Sequence, residues 1–271
     1  MDLEAMDVDL TFRTLVGEPF VEIIRAVQVD GDDVVLAGTR GAEKLEQFCG
    51  STAKRLIRKC PASVWIVKAE HLVPPKVVLA ATDFSDMGLK AVKEGLRIAQ
   101  RSGAEFHLLH IIDSEDMPED LISEVPEGST LRQEINDEAT RRLGEFVASL
   151  AVDPTQIQSH LSSETPWQEI RRISKHQTAD LIVIRTVGRS GIQGLLLGNT
   201  ADIVRDTCDC SILTIKPDDF VSRLSRSPID HKWLCDLIWM KAFANRQGPR
   251  TKEGRLLLCK TSFFCGLAVN L

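Results

Sequence analysis

The sequence predicts an α/β protein built on a doubly wound parallel sheet. Short apolar runs rich in β-branched residues alternate with longer stretches in which apolar residues recur at helical spacing. Such runs indicate strands that are buried on both faces, and the alternation is typical of parallel strands joined by crossover helices. The chain has 271 residues, of which 43% are hydrophobic, so it can form one large or two ordinary domains.

Residues 76–219 contain a full set of these elements. The patterns predict strands at 76–81 and 105–112, helices at 86–101 and from about 130 to 150, and a further strand, glycine loop, helix and strand between 179 and 216. We therefore expect residues 76–219 to form a complete domain by themselves.

An internal repeat relates this domain to the start of the chain. GSTAKRLIRKCPASVWIVK at 50–68 aligns without gaps to GNTADIVRDTCDCSILTIK at 198–216, and six of the nineteen positions are identical. PFVEIIR at 19–25 matches PWQEIRR at 166–172. Residues 1–75 are therefore predicted to be a truncated first copy, without the 80 residues of strand, helix, strand and helix that 76–155 supply.

Charge separates residues 220–271 from the rest of the chain. This basic tail has nine Lys or Arg and three Asp or Glu, so it carries +6, and the remainder carries -12 of the net -6. A strongly negative body disfavours nucleic acid as the main partner. For the tail itself three alternatives stay open: a poorly ordered extension, a helix near 233–243 packed on the sheet edge, and a nucleic-acid or membrane arm.

The sequence also predicts a cytoplasmic protein with free thiols and no metal site. No apolar run approaches the roughly 20 residues of a membrane span, and the acidic start lacks the pattern of a signal peptide. Seven cysteines without a CxxC motif indicate neither disulfides nor zinc. His107 and His110 lie three apart on a predicted strand, so they face opposite sides and cannot chelate one metal.

Known catalytic motifs do not match the chain. Gly188-Arg-Ser-Gly191 differs from the nucleophile elbow of serine hydrolases, and no phosphate-binding P-loop with its lysine occurs. We therefore expect a protein that is not an enzyme.

Glycines mark a candidate anion site after the strand near 181–185. They precede Asn199 and Thr200 at the start of a helix, where free backbone N–H groups favour phosphate. At the same carboxyl edge, Asp83 follows the strand at 76–81 and could accept hydrogen bonds from a base or ribose. An equally open alternative is that Asp83 and Ser85 only cap the next helix and that the glycines serve tight turns.

Several separated motifs resemble the universal stress protein family. They are VVLAATDFSD at 77–86, LLHIID at 108–113, and TVGRSG…LLLGNTADIV…SILTIKP at the end of the complete copy. The doubled repeat is closest to the tandem-domain, E-type branch, and the resemblance covers residues 1–219. It implies a five-stranded sheet in the order 3-2-1-4-5, a cytoplasmic role in stress survival, and ATP, AMP or another adenine nucleotide used for regulation.

The resemblance also implies a set of nucleotide-binding residues: Thr82 and Asp83 at the base and ribose, Ile111 in the base pocket, Gly188 and Gly191 against the ribose and phosphates, and Gly198, Asn199 and Thr200 at the triphosphate. The family's loop is G-x-x-G, nine residues, then G-(S/T). Only six residues separate Gly191 from Gly198. The first copy has Gly38, Gly41, Gly50 and Ser51 with eight intervening residues. Neither copy has the complete site.

Three functions stay open at this stage. They are a nucleotide-binding regulatory module, an interaction module that has lost nucleotide because of the shortened loop, and an adenylating or ATP-hydrolysing enzyme. A small-molecule nucleotide is the expected ligand, and no membrane partner is expected. We also expect self-association through the last strand of each repeat.

The truncated copy raises a structural question. In the implied order, the missing strands 1 and 2 are the middle of the sheet, so a strand at 9–15 would have no neighbour. One hypothesis is that Met1 is not the natural start and that roughly 80 residues precede it, by comparison with the second copy. Another is that residues 64–67 dock the fragment on residues 211–215 of the complete domain.

Overall fold

The computed structural model describes residues 9–39, 50–68, 73–112, 129–186, 199–222, 224, 255–261 and 264–269. The strands are β1 Asp9–Arg13, β2 Val34–Gly38, β3 Ser63–Val67, β4 Val77–Thr82, β5 Glu105–Ile111, β6 Ile157–Ser162, β7 Leu181–Arg185, β8 Ser211–Ile215, β9 Arg255–Thr261 and β10 Phe264–Val269. The helices are α1 Pro19–Asp30, α2 Ser51–Lys59, α3 Asp86–Ser102, α4 Thr130–Ser149, α5 Pro166–His176 and α6 Asn199–Thr207.

The complete repeat forms the expected doubly wound sheet. Its strands lie in the order β6-β5-β4-β7-β8, and each neighbouring pair is parallel. In chain order these are strands 3-2-1-4-5, so the predicted fold class and order are confirmed. The predicted bounds differ from the observed ones by one or two residues, because propensity does not determine the last hydrogen-bonded residue.

Helices cover both faces of this sheet. On one face Ala91 and Leu96 of α3 and Leu143 of α4 pack against strand residues in one buried cluster. On the other face Ile170 of α5 and Val204 of α6 pack in a second cluster. These apolar positions recur at helical spacing, which is why the sequence pattern predicted the helices.

The two repeats join edge to edge. Strand β3 pairs antiparallel with β8, with Val64 opposite Thr214, Trp65 opposite Leu213 and Ile66 opposite Ile212. The predicted docking of the fragment on the complete domain is therefore confirmed. Because β3 also pairs with β2 and β8 with β7, each last strand has both edges paired within the chain.

The first repeat contains a correction to the sequence analysis. Strand β1 was expected to lack a neighbour, but it pairs in parallel with β9 of the basic tail. The hairpin β9–β10 lies between β1 and β2, and β10 pairs antiparallel with β2. The segments RLLLC and FCGLAV supply these two strands. Their backbone groups pair with the edge of β1 on one side of the hairpin and with the edge of β2 on the other. The predicted helix at 233–243 lies outside the described residues, and domain boundaries at 75 and 219 stay predictions.

Candidate functional site

The carboxyl edge of the complete repeat brings Asp83 against Arg185. Asp83 follows β4, and Arg185 is the last residue of β7, which pairs in parallel with β4. An Nη2 atom of Arg185 lies 2.6 Å from Oδ2 of Asp83, and the two side chains are 21% and 18% exposed. The carboxylate that the family resemblance assigns to base or ribose is therefore already engaged by a cation of its own chain.

The second oxygen of Asp83 is used by the turn that starts α3. Its Oδ1 accepts hydrogen bonds from the Ser85 backbone N at 3.2 Å and the Ser85 hydroxyl at 2.6 Å. The Ser85 hydroxyl oxygen in turn accepts from the Gly88 backbone N at 3.1 Å, which makes Ser85 the N-cap of α3. The capping role that the sequence left open is present, with Asp83 orienting the cap.

Gly88 lets the helix start close to this carboxylate. A Cβ atom on Gly88 would lie 2.7 Å from Asp83 Oδ1 and 2.8 Å from Thr82 Oγ1. Thr82 is buried, and its Oγ1 accepts from the Phe84 backbone N at 3.1 Å. The turn from Thr82 to Gly88 is thus a packed unit of short side-chain to backbone bonds.

An aromatic pair supports the same turn from inside. Phe84 has a φ of 62°, in the left-handed region, and its ring stacks on His110 with 3.8 Å between centroids. Nδ1 of His110 lies 2.9 Å from the Thr82 carbonyl oxygen. The guanidinium of Arg142 on α4 lies over the Phe84 ring at 5.3 Å. A non-glycine residue in this conformation is held by its surroundings, here by the stacked rings.

The other predicted site residues are only partly within the described chain. Ile111 ends β5 at this edge, is half-buried, and packs on the face covered by α5 and α6. Asn199 starts α6, and Thr200 follows it with a half-buried side chain. Gly188, Gly191 and Gly198 lie outside the described residues. In the described ranges, no three His, Cys, Asp or Glu side chains are placed to hold a metal ion.

Arg185 is the residue that sequence reasoning missed. The backbone N of Thr39 donates to Val67 O, and the backbone N of Thr186 donates to Ile215 O. Since Val67 and Ile215 are aligned in the repeat, Arg185 occupies the position that Gly38 has in the first copy.

This match indicates a different register for the glycine loop. Counted from Gly188, nine residues precede Gly198, and Arg185 then stands where the family pattern has its first glycine. In this register the loop has the length that the family pattern requires. It differs from that pattern at its first position, where an arginine replaces the glycine. The nine-residue spacing between Gly188 and Gly198 is the sequence signal that identifies Arg185 as the first position of the pattern.

The family model for the universal stress protein family matches residues 2–68 and 75–216. The chain belongs to the universal stress protein family. The two matched segments correspond to the two repeats, separated near Pro74.

Curated relatives and a solved structure carry the same family name. This universal stress protein is 29% identical over 215 residues to universal stress protein E of Escherichia coli K12, covering 75% of this chain and 67% of that protein. It is 29% identical over 148 residues to universal stress protein MJ0531 of Methanocaldococcus jannaschii, covering 52% and 82% respectively. The crystal structure of a universal stress protein from Archaeoglobus fulgidus shares the fold, with a TM-score of 0.54, 23% identity, and 74% and 67% coverage of the two chains.

Among the helices that the structure describes, none combines the length and the apolar character needed to cross a bilayer.

Proposed function

We propose that this universal stress protein acts in the stress response as a non-catalytic interaction module that does not need bound ATP. The observation that carries the proposal is the ion pair between Arg185 and Asp83. A base or ribose at Asp83 would have to replace the guanidinium, and leaving a partly buried charge without its partner costs free energy.

The arginine also adds bulk at the place where the first repeat has Gly38. In the part of the chain that the structure describes, a Cβ atom on Gly38 would meet no other atom within 4 Å. In the complete repeat the corresponding strand end carries a long side chain that reaches Asp83. Close approach of a ligand to the backbone is therefore less favourable at the complete repeat than at the truncated one.

A second candidate is regulatory binding of ATP, AMP or another adenine nucleotide at this edge. It is favoured by α6, which starts at Asn199 after the glycine loop, because the first N–H groups of a helix have no partner within the helix and favour anions. In this case Arg185 would leave Asp83 and neutralise a phosphate. Bound nucleotide would bias conformation or assembly, with slow or absent turnover.

Calorimetry with ATP, ADP and AMP distinguishes the two candidates. For the interaction module we expect no binding by the full chain up to about 1 mM nucleotide, which corresponds to about -4 kcal/mol. Arg185→Gly, which restores the glycine of the first copy, should bind more tightly than the native chain. Micromolar binding by the native chain that is lost in Asp83→Ala, and kept in the control Asp137→Ala on α4, would instead establish the nucleotide candidate.

Two further properties stay proposals. We place the protein in the cytoplasm, which cell fractionation tests. Self-association between chains through β3 or β8 would have to replace the pairing that joins the two repeats, so sedimentation velocity of the intact chain tests it directly.

A further inference from the structure

A pair of histidines joins the edge strand β6 to its neighbour β5. His107 lies on β5 and His160 on β6, the strand at one end of the strand order. His107 is opposite Gln158 and Leu109 is opposite His160, so the two histidines are diagonal neighbours on the same face. His107 Nδ1 lies 2.8 Å from His160 Nε2, and the rings are 5.1 Å apart and nearly parallel. The pair therefore forms a direct hydrogen bond.

Burial isolates the inner histidine from water. His107 is 1% exposed, whereas His160 is half-buried. Among the described residues, the buried Nε2 of His107 has no hydrogen-bond partner. The nearest carboxylate oxygen, Oε2 of Glu105, lies 3.9 Å away, which is too long for a hydrogen bond. Glu105 thus faces His107 without satisfying it.

The bond between the rings accommodates only one extra proton. In the neutral pair one nitrogen donates and the other accepts. When His160 Nε2 donates in the bridge, a first added proton goes to His160 Nδ1; when His107 Nδ1 donates, it goes to His107 Nε2. Either way the bridge stays intact. A second added proton would place hydrogens on both bridging nitrogens, which removes the acceptor and brings two positive rings together. The second proton therefore breaks the hydrogen bond between the two histidine side chains of β5 and β6.

The surroundings compensate this charge only in part. Helix α5 places Glu169, Arg172 and His176 near His160, and Glu105 of β5 faces His107. Arg172 Nε donates to Glu169 Oε2 at 2.8 Å, so the negative charge of Glu169 is already shared. Burial lowers the pKa of His107 from 6.5, and the charge of Glu105 opposes this shift. Burial also lowers the pKa of His160, and the positive charges of His107, Arg172 and His176 lower it further, against Glu169. The neutral pair is the stable form at neutral pH.

We propose that His107 and His160 form an acid-responsive latch that holds β6 on β5 when neutral and releases β6 when both rings are protonated. The direction of the pH effect follows from the linkage between proton binding and the opening of β6. In the unfolded strand the histidines keep their ordinary pKa and bind more protons than the folded pair as the pH falls below about 6.5. Acid therefore favours opening of β6 over the closed sheet.

Hydrogen exchange of the β6 amides tests the latch. The full chain is measured at pH 7 and about pH 5, with rates divided by the intrinsic exchange rates and β4 amides as internal reference. One pKa unit corresponds to a factor of 10 in the opening equilibrium, so we expect β6 protection to fall by about tenfold or more relative to β4. Equal protection at the two pH values would overturn the latch.

Variants separate the latch from general acid sensitivity. His160→Gln removes the titrating partner and keeps a polar side chain, so the loss of β6 protection in acid should become much smaller. Lys175→Gln, a change at an exposed residue of α5, should keep the native loss. A His160→Gln response as steep as the native one would contradict the proposal.

A titration of the native chain keeps the proposal falsifiable if His160→Gln fails to fold. Nitrogen NMR of the histidine rings should show one ring taking up a proton first and the other remaining neutral until β6 signals change. Independent titration of both rings near their ordinary pKa, with β6 unchanged, would refute the latch.

Discussion

Lys68 and Lys216 occupy matched positions after the last strands of the two repeats, and each donates to a backbone carbonyl of the other repeat. Lys68 Nζ donates to Cys208 O at 2.7 Å, and Lys216 Nζ donates to Ile57 O. Their backbone N atoms also donate to the other repeat: Lys68 N donates to Ser211 Oγ, and Lys216 N donates to Ser63 Oγ. Ser63 and Ser211 are aligned in the repeat, so these backbone contacts are reciprocal, as in a two-fold symmetric dimer, whereas the two Nζ atoms bond carbonyls that are not aligned.

Lys216 should make stability rise in alkaline solution. Burial lowers the pKa of its ammonium from 10.5 to about 8, although the nearby Cys60 thiol opposes the shift. Between these two pH values the unfolded chain binds more protons than the folded one, so raising the pH removes a penalty of up to roughly 3 kcal/mol. Urea unfolding at pH 7 and about pH 10 should show this gain relative to Lys216→Met.

The control for Lys216 is Lys93→Met, the same change at an exposed lysine on α3. It should keep the pH dependence of the native chain. A native chain whose pH dependence equals that of Lys216→Met would contradict the prediction. Since Pro61 has no N–H to bond Ile57 O in the helix pattern, the neutral amine still serves as its donor.

Gly88→Ala should destabilise the protein by about 1–3 kcal/mol. The new methyl group would overlap the carboxylate of Asp83 and the hydroxyl of Thr82, which are held in the turn. The matched control is Gly144→Ala in α4, where a Cβ atom meets nothing within 4 Å and helix propensity should stabilise by roughly 0.5–1 kcal/mol. In thermal unfolding, Gly88→Ala should lower the midpoint temperature and Gly144→Ala should raise it. Equal changes in the midpoint temperature would show that Gly88 is not crowded.

The Asp83–Arg185 pair should show a coupling energy of about 0.5–3 kcal/mol in a double-mutant cycle. Both side chains are only about one-fifth exposed, so solvent screens their attraction weakly. Unfolding free energies of Asp83→Ala, Arg185→Ala and the double variant measure it. The exposed pair of Glu138 and Arg141 in α4 should give a much smaller coupling energy, because solvent screens it. An equally small coupling energy for Asp83 and Arg185 would show that the pair is no barrier to a ligand.

Cys60 and Cys210 should resist alkylation in the folded protein. Burial raises the pKa of each thiol to about 12, so almost no thiolate is present at neutral pH. Mass spectrometry after iodoacetamide treatment at about pH 8 should find both unmodified in buffer and modified in urea. Rapid labelling of either thiol in buffer would show that the joint between the repeats opens.

Much of the fold was accessible from local patterns. The apolar run at 76–81, the apolar spacing in α3 and the aligned repeat at 50–68 predicted the strands, helices and half copy. The edge contact between β3 and β8 followed from the family's order. The tail was not predictable, because strand pairing of β9 and β10 depends on free edges elsewhere in the chain.

The alternation of elements, the duplication and the position of Asp83 at the carboxyl edge of the sheet could be predicted from residue patterns, because periodicity, capping and repeat identity are local properties of the chain. The contact of Arg185 with Asp83 and that of His107 with His160 were visible only in the folded protein. These contacts join residues on different strands. They depend on strand order and register, which arise from the packing of the whole sheet.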